Sequence, residues 1–454
     1  MIGSLLLGAC LLVAIALLHR ASFSLRLALF GYVALWLMLP LAYRLWAGGD
    51  PVEDDAALWY GPVMVAHAVG VATIVLLVLT VPSPFARSAG EGRLARWQFD
   101  SRALGIVLAL GAAIITAVRV WQVREAGGDF ASLVALNISR ERETLGGFTL
   151  VTALSSAYLS LALATLASGS STAFGTRVVA WLCVTVVSVQ SVLIGLRAFL
   201  LLPFLGLFLI AGNAEPARRP RLWLAAWTAG ALALLLVPVA ALILGVTRVR
   251  SDSTEGSTAD VLEAFAQLDP NDRLRLFTAA ANLKFDGFTT GATLLALDGA
   301  GGGGLRPLTS ALFSPVPRVL LPSKPVPISA DGEQSGVPFV RAAQRFGAVE
   351  AGMVVPVSPA AITVWELGWV GLGVFVATNV LVLWLIEAWL RTGTIIPGAF
   401  AFSLLSYPSF EFTLQAPSSL LRDLLRLGVV WVALLCVALL LRRQHESSPA
   451  VASG

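Results

Sequence analysis

Three sets of residues in this chain have the charge and placement that chemistry on an anion requires. The first is Arg197, in Ile194-Gly-Leu-Arg-Ala-Phe-Leu200, within an apolar run from Arg177 to Asn213. An arginine inside a bilayer costs about 2.5–3.5 kcal/mol on insertion scales, so it pairs, snorkels to a head group or binds an anion. The second is the basic set Arg248, Arg250, Arg306, Arg318, Lys324, Arg341 and Arg345. Guanidinium forks match phosphate oxygens two at a time and neutralise them without a metal. Pairing with Asp331, Glu333 and Glu350 is the alternative use of the same side chains. The third is Glu366, in Val364-Trp-Glu-Leu-Gly-Trp-Val-Gly-Leu-Gly373. A carboxylate beside cations at a membrane interface serves as a general base toward a hydroxyl. Equally, it anchors a helix start beside the interfacial Trp365 and Trp369. Glu411, in Ser409-Phe-Glu-Phe412, is a similar case.

Other chemistries are not supported. There is no Walker loop, and the glycines at 301–304 lack the Lys-Ser/Thr of a phosphate cradle, so they read as a flexible hinge. No Gly-x-Ser-x-Gly elbow occurs. The histidines are His19, His67 and His445, which gives no multi-histidine metal site and no histidine outside the membrane to serve a Ser or Cys nucleophile. Cys10, Cys183 and Cys436 sit far apart in apolar runs and imply neither a metal site nor a disulfide framework. No metal and no cofactor are therefore expected. Leu7-Gly-Ala-Cys10 has a lipobox look, but without a preceding basic region the first run reads as a retained helix.

The elements that must hold these residues are membrane helices. The chain is 57% hydrophobic and 13% charged, with a mean hydropathy of +0.82, whereas soluble domains are about 25% charged. Each crossing of a bilayer takes roughly 20 apolar residues of helix. Eleven such runs fall near 2–19, 25–46, 58–82, 103–122, 148–168, 177–196, 198–213, 221–246, 359–388, 395–410 and 420–441. The expected fold is an all-α polytopic membrane protein with about eleven transmembrane helices (10–12); the alternating pattern of a barrel is missing. A net charge of +4 sits in short connections between apolar runs, which marks topology and not a nucleic-acid partner.

Short cytoplasmic connections carry the excess of Arg. That rule puts Arg20, Arg87–Arg102, Arg177, Arg218–Arg221, Arg391 and the Arg442-Arg443 tail inside. The N-terminus is then outside and the C-terminus cytoplasmic. The expected organisation is an N-terminal bundle of about eight helices (1–247), a large extracytoplasmic loop (248–358), about three further helices (359–441) and a tail (442–454). Within the loop, an amphipathic helix is expected near 259–268. The 274–297 stretch is too interrupted by charge to span, and the Pro-studded run Pro315–Pro327 is irregular.

Three of these features, in this order, resemble the bacterial O-antigen polymerase family and its relatives, the O-antigen ligases. They are the helix pair broken at Gly195-Leu-Arg197, the run Pro317-Arg318-Val-Leu-Leu-Pro322-Ser-Lys324-Pro325, and the helix start Glu366-Leu-Gly368-Trp-Val-Gly371. The resemblance covers about 177–375. It implies a GT-C-like fold around an outward-facing cavity, in a multi-pass protein of the bacterial plasma membrane. It also implies a glycosyltransferase that polymerises undecaprenyl-pyrophosphate-linked repeat units into surface polysaccharide. Arg197 would hold the donor pyrophosphate, with Arg318, Lys324, Arg341, Arg345 and Arg248 assisting, and Glu366 would deprotonate the acceptor hydroxyl; Glu411, Arg250 and Glu350 are secondary candidates. A chain-length regulator and a flippase of the same pathway are the implied protein partners. Ligases of this kind carry a His about nine residues before the Glu; here the neighbourhood is Pro356-Val-Ser358-Pro-Ala360, which favours a polymerase. A flippase or transporter of lipid-linked glycans is the competing expectation, with inverted repeats and mid-membrane sites on broken helices.

Overall fold

In the computed structural model the apolar runs fold as helices, and the described residues contain no strand. The structure describes residues 1–17, 23–47, 54–85, 101–125, 148–167, 173–193, 287–316, 321, 323, 357–391, 395–406 and 414–447. The N-terminal helices are α1 (Ile2–Leu17), α2 (Phe23–Tyr32), α3 (Leu39–Ala47) and α4 (Asp54–Thr80). They are followed by α5 (Ser101–Glu125), α6 (Phe148–Ala167) and α7 (Phe174–Leu193). Two short helices, α8 (Gly287–Asp298) and α9 (Arg306–Leu312), precede α10 (Pro359–Leu367), α11 (Gly371–Arg391), α12 (Ile395–Ser406) and α13 (Pro417–Ser447).

Among the described residues, four helices are long and apolar enough to cross a membrane: Ala56–Thr80, Ser101–Glu125, Phe174–Ser191 and Gly371–Ala388. Ile2–Leu17, Leu29–Ala42 and Val151–Leu166 are shorter apolar helices. Large apolar side chains such as Val65, Leu110, Leu182 and Val432 are more than half exposed on the outer faces. A water-soluble bundle would carry polar residues there; these are the features of a membrane protein. The expected helices at 198–213 and 221–246 lie outside the described residues.

Two expected helices are interrupted. The 25–46 run is helical but widens into a π-helical segment at Val33–Met38 between α2 and α3. Pro40 follows it; proline has no N–H for the i−4 carbonyl and its ring crowds that carbonyl, which a wider turn relieves. The 359–388 run breaks into α10 and α11 at Gly368, whose φ of 67° is disfavoured for side chains with a Cβ.

Packing forms two apolar cores. One gathers Leu29, Leu37, Ile74, Phe288, Trp365 and Phe375 from α2, α3's approach, α4, α8, α10 and α11. The other gathers Leu108, Tyr158, Val187, Phe402, Leu427 and Trp431 from α5, α6, α7, α12 and α13. α8 covers the described end of the stretch expected not to span, and it is buried along Gly287–Leu295 against α4 and α10.

Asn379 in α11 ties the two parts of the C-terminal region together. Its side-chain amide donates to the carbonyls of Phe375 (2.8 Å) and Gln415 (2.9 Å), and its Oδ1 accepts from the Gln415 backbone N–H (3.0 Å). Asn379→Leu leaves both backbone groups of Gln415 without these partners. The expected loss is about 2 kcal/mol, read as a lower unfolding midpoint of the purified protein in denaturant.

Candidate functional site

Glu366 is the one sequence-predicted site residue within the described residues other than Arg306, and it is only 1% exposed. It lies in the last turn of α10, ahead of the span that begins at Gly371. Arg306 opens α9 and is exposed. Arg197, Arg248, Arg250, Arg318, Lys324, Arg341, Arg345, Glu350 and Glu411 fall outside the described residues.

The glycine spacing of the Glu366 motif has a structural cause. Gly368 ends α10 at positive φ, and Gly371 starts α11 so close to α10 that a Cβ there would stand 2.5 Å from the Thr363 carbonyl oxygen. The chain thus turns within three residues, and Glu366 is held at the turn. On the other side, Gly301 N–H donates to the Val364 carbonyl (3.0 Å) and Gly303 N–H to the Trp365 carbonyl (2.9 Å). These bonds satisfy carbonyls that a helix end leaves open. A Cβ on Gly303 would lie 2.9 Å from the Trp365 ring, and the Trp365 indole N–H donates to Asp298 Oδ2 (2.7 Å). The glycine cluster expected to be a flexible hinge is therefore a tight loop fastened to α10. Trp365 is buried within it and is not an interfacial belt residue; Trp369 is half-exposed and stacks on Trp59 at 6.4 Å.

Glu366 anchors a helix start, but that of α13 and not of its own segment. Ser418 Oγ, in the first turn of α13, donates to Glu366 Oε1, and the Ser418 backbone also favours the ionised carboxylate. The positive end of a helix favours a carboxylate there. Burial outweighs these contacts and the nearby Arg422, and raises the Glu366 pKa to about 7. Glu366 Oε2 is buried and accepts no hydrogen bond. A carboxyl group titrating near neutrality, with one oxygen unoccupied, is suited to take a proton from a substrate group.

Cations line the same side of α13. Arg422, one turn beyond Ser418, pairs with Asp423 (3.0 Å), and Arg426, one turn further, donates to Ser314 Oγ just after α9 (2.6 Å). Ser314 is one residue before the expected Pro-rich run, so α13 meets the segment that leads into it. Sequence reasoning missed Ser418, Arg422 and Arg426, which lie 52 or more residues from Glu366; an i, i+4, i+8 Ser-Arg-Arg row at the start of an apolar helix was the available signal.

A second missed set is Tyr32, His67 and Ser358. Tyr32 Oη and His67 Nε2 are 3.3 Å apart, and His67 Nδ1 and Ser358 Oγ 2.8 Å apart. His67 and Ser358 are 1% and 2% exposed, and the pair fastens α4 to the start of α10.

Removing Ser418 Oγ takes away a hydrogen bond that lowers the Glu366 pKa. A process that needs ionised Glu366 is expected to move its half-maximal pH upward in Ser418→Ala, by about one unit or less, measured as the pH profile of the rate. The chain matches no family model, no curated protein and no solved structure.

Proposed function

We propose that this membrane protein is a metal-independent glycosyltransferase that joins undecaprenyl-pyrophosphate-linked oligosaccharide repeat units at the outer face of the bacterial plasma membrane. The reading takes the chain as a GT-C-like bundle of about eleven spans with its 248–358 segment outside. The observation that carries it is Glu366, a buried carboxyl group with a pKa of about 7 and an unoccupied oxygen, in the motif whose glycines build the turn.

In the proposed step, Glu366 Oε2 takes the proton of the acceptor sugar hydroxyl as that oxygen bonds to the anomeric carbon of the donor. The anomeric carbon–phosphate oxygen bond breaks, and undecaprenyl pyrophosphate leaves with the bonding electron pair. Arg197, with Arg318 and Lys324, meets the growing negative charge of the leaving group; fixed cations at such a point stabilise the transition state most. Ser418 holds the carboxylate in place by its other oxygen.

A detergent-solubilised preparation separates this reading from transport, because it offers no second compartment. Given a lipid-pyrophosphate-linked repeat unit, the purified protein is expected to produce longer lipid-linked chains. Well-folded protein that binds the repeat unit and never lengthens it would sink the proposal in favour of a flippase.

A further inference from the structure

The short helix α9 is turned inside out for a helix in water. Its buried side is small and polar: Pro307, Ser310, Ala311 and, just beyond its end, Ser314. Its exposed side carries Leu305, Arg306, Thr309, Leu312 and Phe313, a spacing of i, i+1, i+4, i+7 and i+8 that shares one helix face. Leu305 and Leu312 are more than half exposed and Phe313 is 42% exposed. Single exposed apolar residues are ordinary, but a row of them along one helix marks a contact surface.

Contacts fix where that face lies. Ahead of α9, Gly303 donates to the carbonyl of Trp365, the neighbour of Glu366, and Glu366 meets Ser418 in the first turn of α13. Behind α9, Ser314 accepts from Arg426, about 12 Å further along α13 than Ser418. α9 packs on α13 between these points, so Arg306 stands toward the Ser418 end, and Leu312 and Phe313 stand toward Arg426. α13 is one continuous helix with no charge from Leu427 to Leu441, between Arg426 and Arg442. Those two arginines are about 24 Å apart along its axis, whereas the hydrocarbon layer is about 30 Å thick. For α13 to cross the bilayer on this run, Arg426 must lie at or within the hydrocarbon edge. Val429, one turn beyond Arg426, is more than half exposed, as is Val432, so the apolar outer surface of α13 continues from the place where α9 ends.

We propose that the exposed face of α9, from Leu305 to Phe313, is a lipid-contact surface. The helix descends along α13 into the leaflet on the Glu366 side, with Leu312 and Phe313 among phospholipid acyl chains and Arg306 at the level of the head-group phosphates. A cation toward water and apolar side chains toward the interior is the arrangement of an interfacial helix. Residues 305–313 thereby leave the aqueous loop in which their sequence position puts them, and through Gly303 they tie the end of α10 to the bilayer surface. The inference rests on the membrane crossing of α13 and stands whether or not the transferase reading does.

The test is the collision accessibility of a nitroxide label in the full-length protein, reconstituted in phosphatidylcholine liposomes. Cys10 and Cys436 are exposed and Cys183 is buried, so C10A/C436A is the background and, treated with the label, the blank. Labels are attached one at a time in Leu312→Cys, Phe313→Cys, Arg306→Cys and, on the outer surface of α13, Val432→Cys. Oxygen concentrates in lipid and a neutral nickel chelate in water, so the ratio of the two accessibilities reports depth. The oxygen-to-nickel ratio in Leu312→Cys and Phe313→Cys is expected to exceed that in Arg306→Cys and to approach that in Val432→Cys. Both native side chains are exposed, so neither substitution empties the core. A nickel-dominated ratio at either site would put the face in water and overturn the proposal. Shielding from both reagents would overturn it too, assigning the face to protein: to this chain's own 317–356 segment, or to a second copy where the shielding is lost on dilution with excess lipid.

Discussion

Glu366→Gln is expected to lower the rate of chain elongation by about 10²- to 10⁴-fold, the range for loss of a general base, while the protein still folds and still binds its lipid-linked substrate. Gln retains an oxygen to accept from Ser418 but cannot take a proton. In the parent protein the rate is expected to rise with pH through about 7 and then level off, because the base works only when ionised and burial holds its pKa near that value. Stability moves the other way. The folded-state pKa stands above the ordinary 4.5, so the folded protein binds more protons than the unfolded chain between those values, and stability falls as pH rises through the window. Above pH 7, Glu366→Gln should therefore unfold at a temperature equal to or above that of the parent. Loss of activity together with unchanged or improved stability separates a reacting carboxylate from one that only anchors α13. Activity retained with lower stability would assign Glu366 to the anchor alone.

Arg197→Ala is expected to lower elongation by about 10²- to 10³-fold, the loss that accompanies removal of one transition-state charge stabiliser. Arg197→Lys should recover part of it, since a point charge replaces the bidentate fork without matching its geometry. The check is single-turnover elongation at saturating substrate, where a residue needed only for binding would leave the rate unchanged.

How far the sequence revealed this can be judged residue by residue. Glu366-x-Gly368-x-x-Gly371 was legible because each glycine answers a local backbone demand, positive φ at one and close helix approach at the other. The same Gly368 was available to divide the 359–388 run, but continuous hydropathy on both sides masked the turn. Hydropathy has no term for backbone direction. The glycines at 301–304 were misread for a related reason: glycine lowers the cost of a hinge and of a tight loop alike, and only the carbonyls of Val364 and Trp365 decide between them.

Ser418 and Arg422 around Glu366, and His67 against Ser358, were not legible. Their partners are 52 to 291 residues away, and no local periodicity reports a pairing across that distance. Arg119 is different. It sits inside the expected 103–122 span as conspicuously as Arg197 sits in its own run, and the cost of a buried guanidinium applies equally to both. Sequence placement at a helix break drew attention to Arg197, whereas Arg119 lies near the end of a continuous run with no break beside it, where the apolar average conceals one charge.

The most direct measurement of the central claim counts two products of one reaction. Purified protein in EDTA, supplied with undecaprenyl-pyrophosphate-linked repeat units, is expected to release one undecaprenyl pyrophosphate for each new glycosidic bond, with both counts falling together in Glu366→Gln. Lengthened chains without that release, or release without lengthening, would contradict a polymerase that attacks the anomeric carbon through a hydroxyl activated by Glu366.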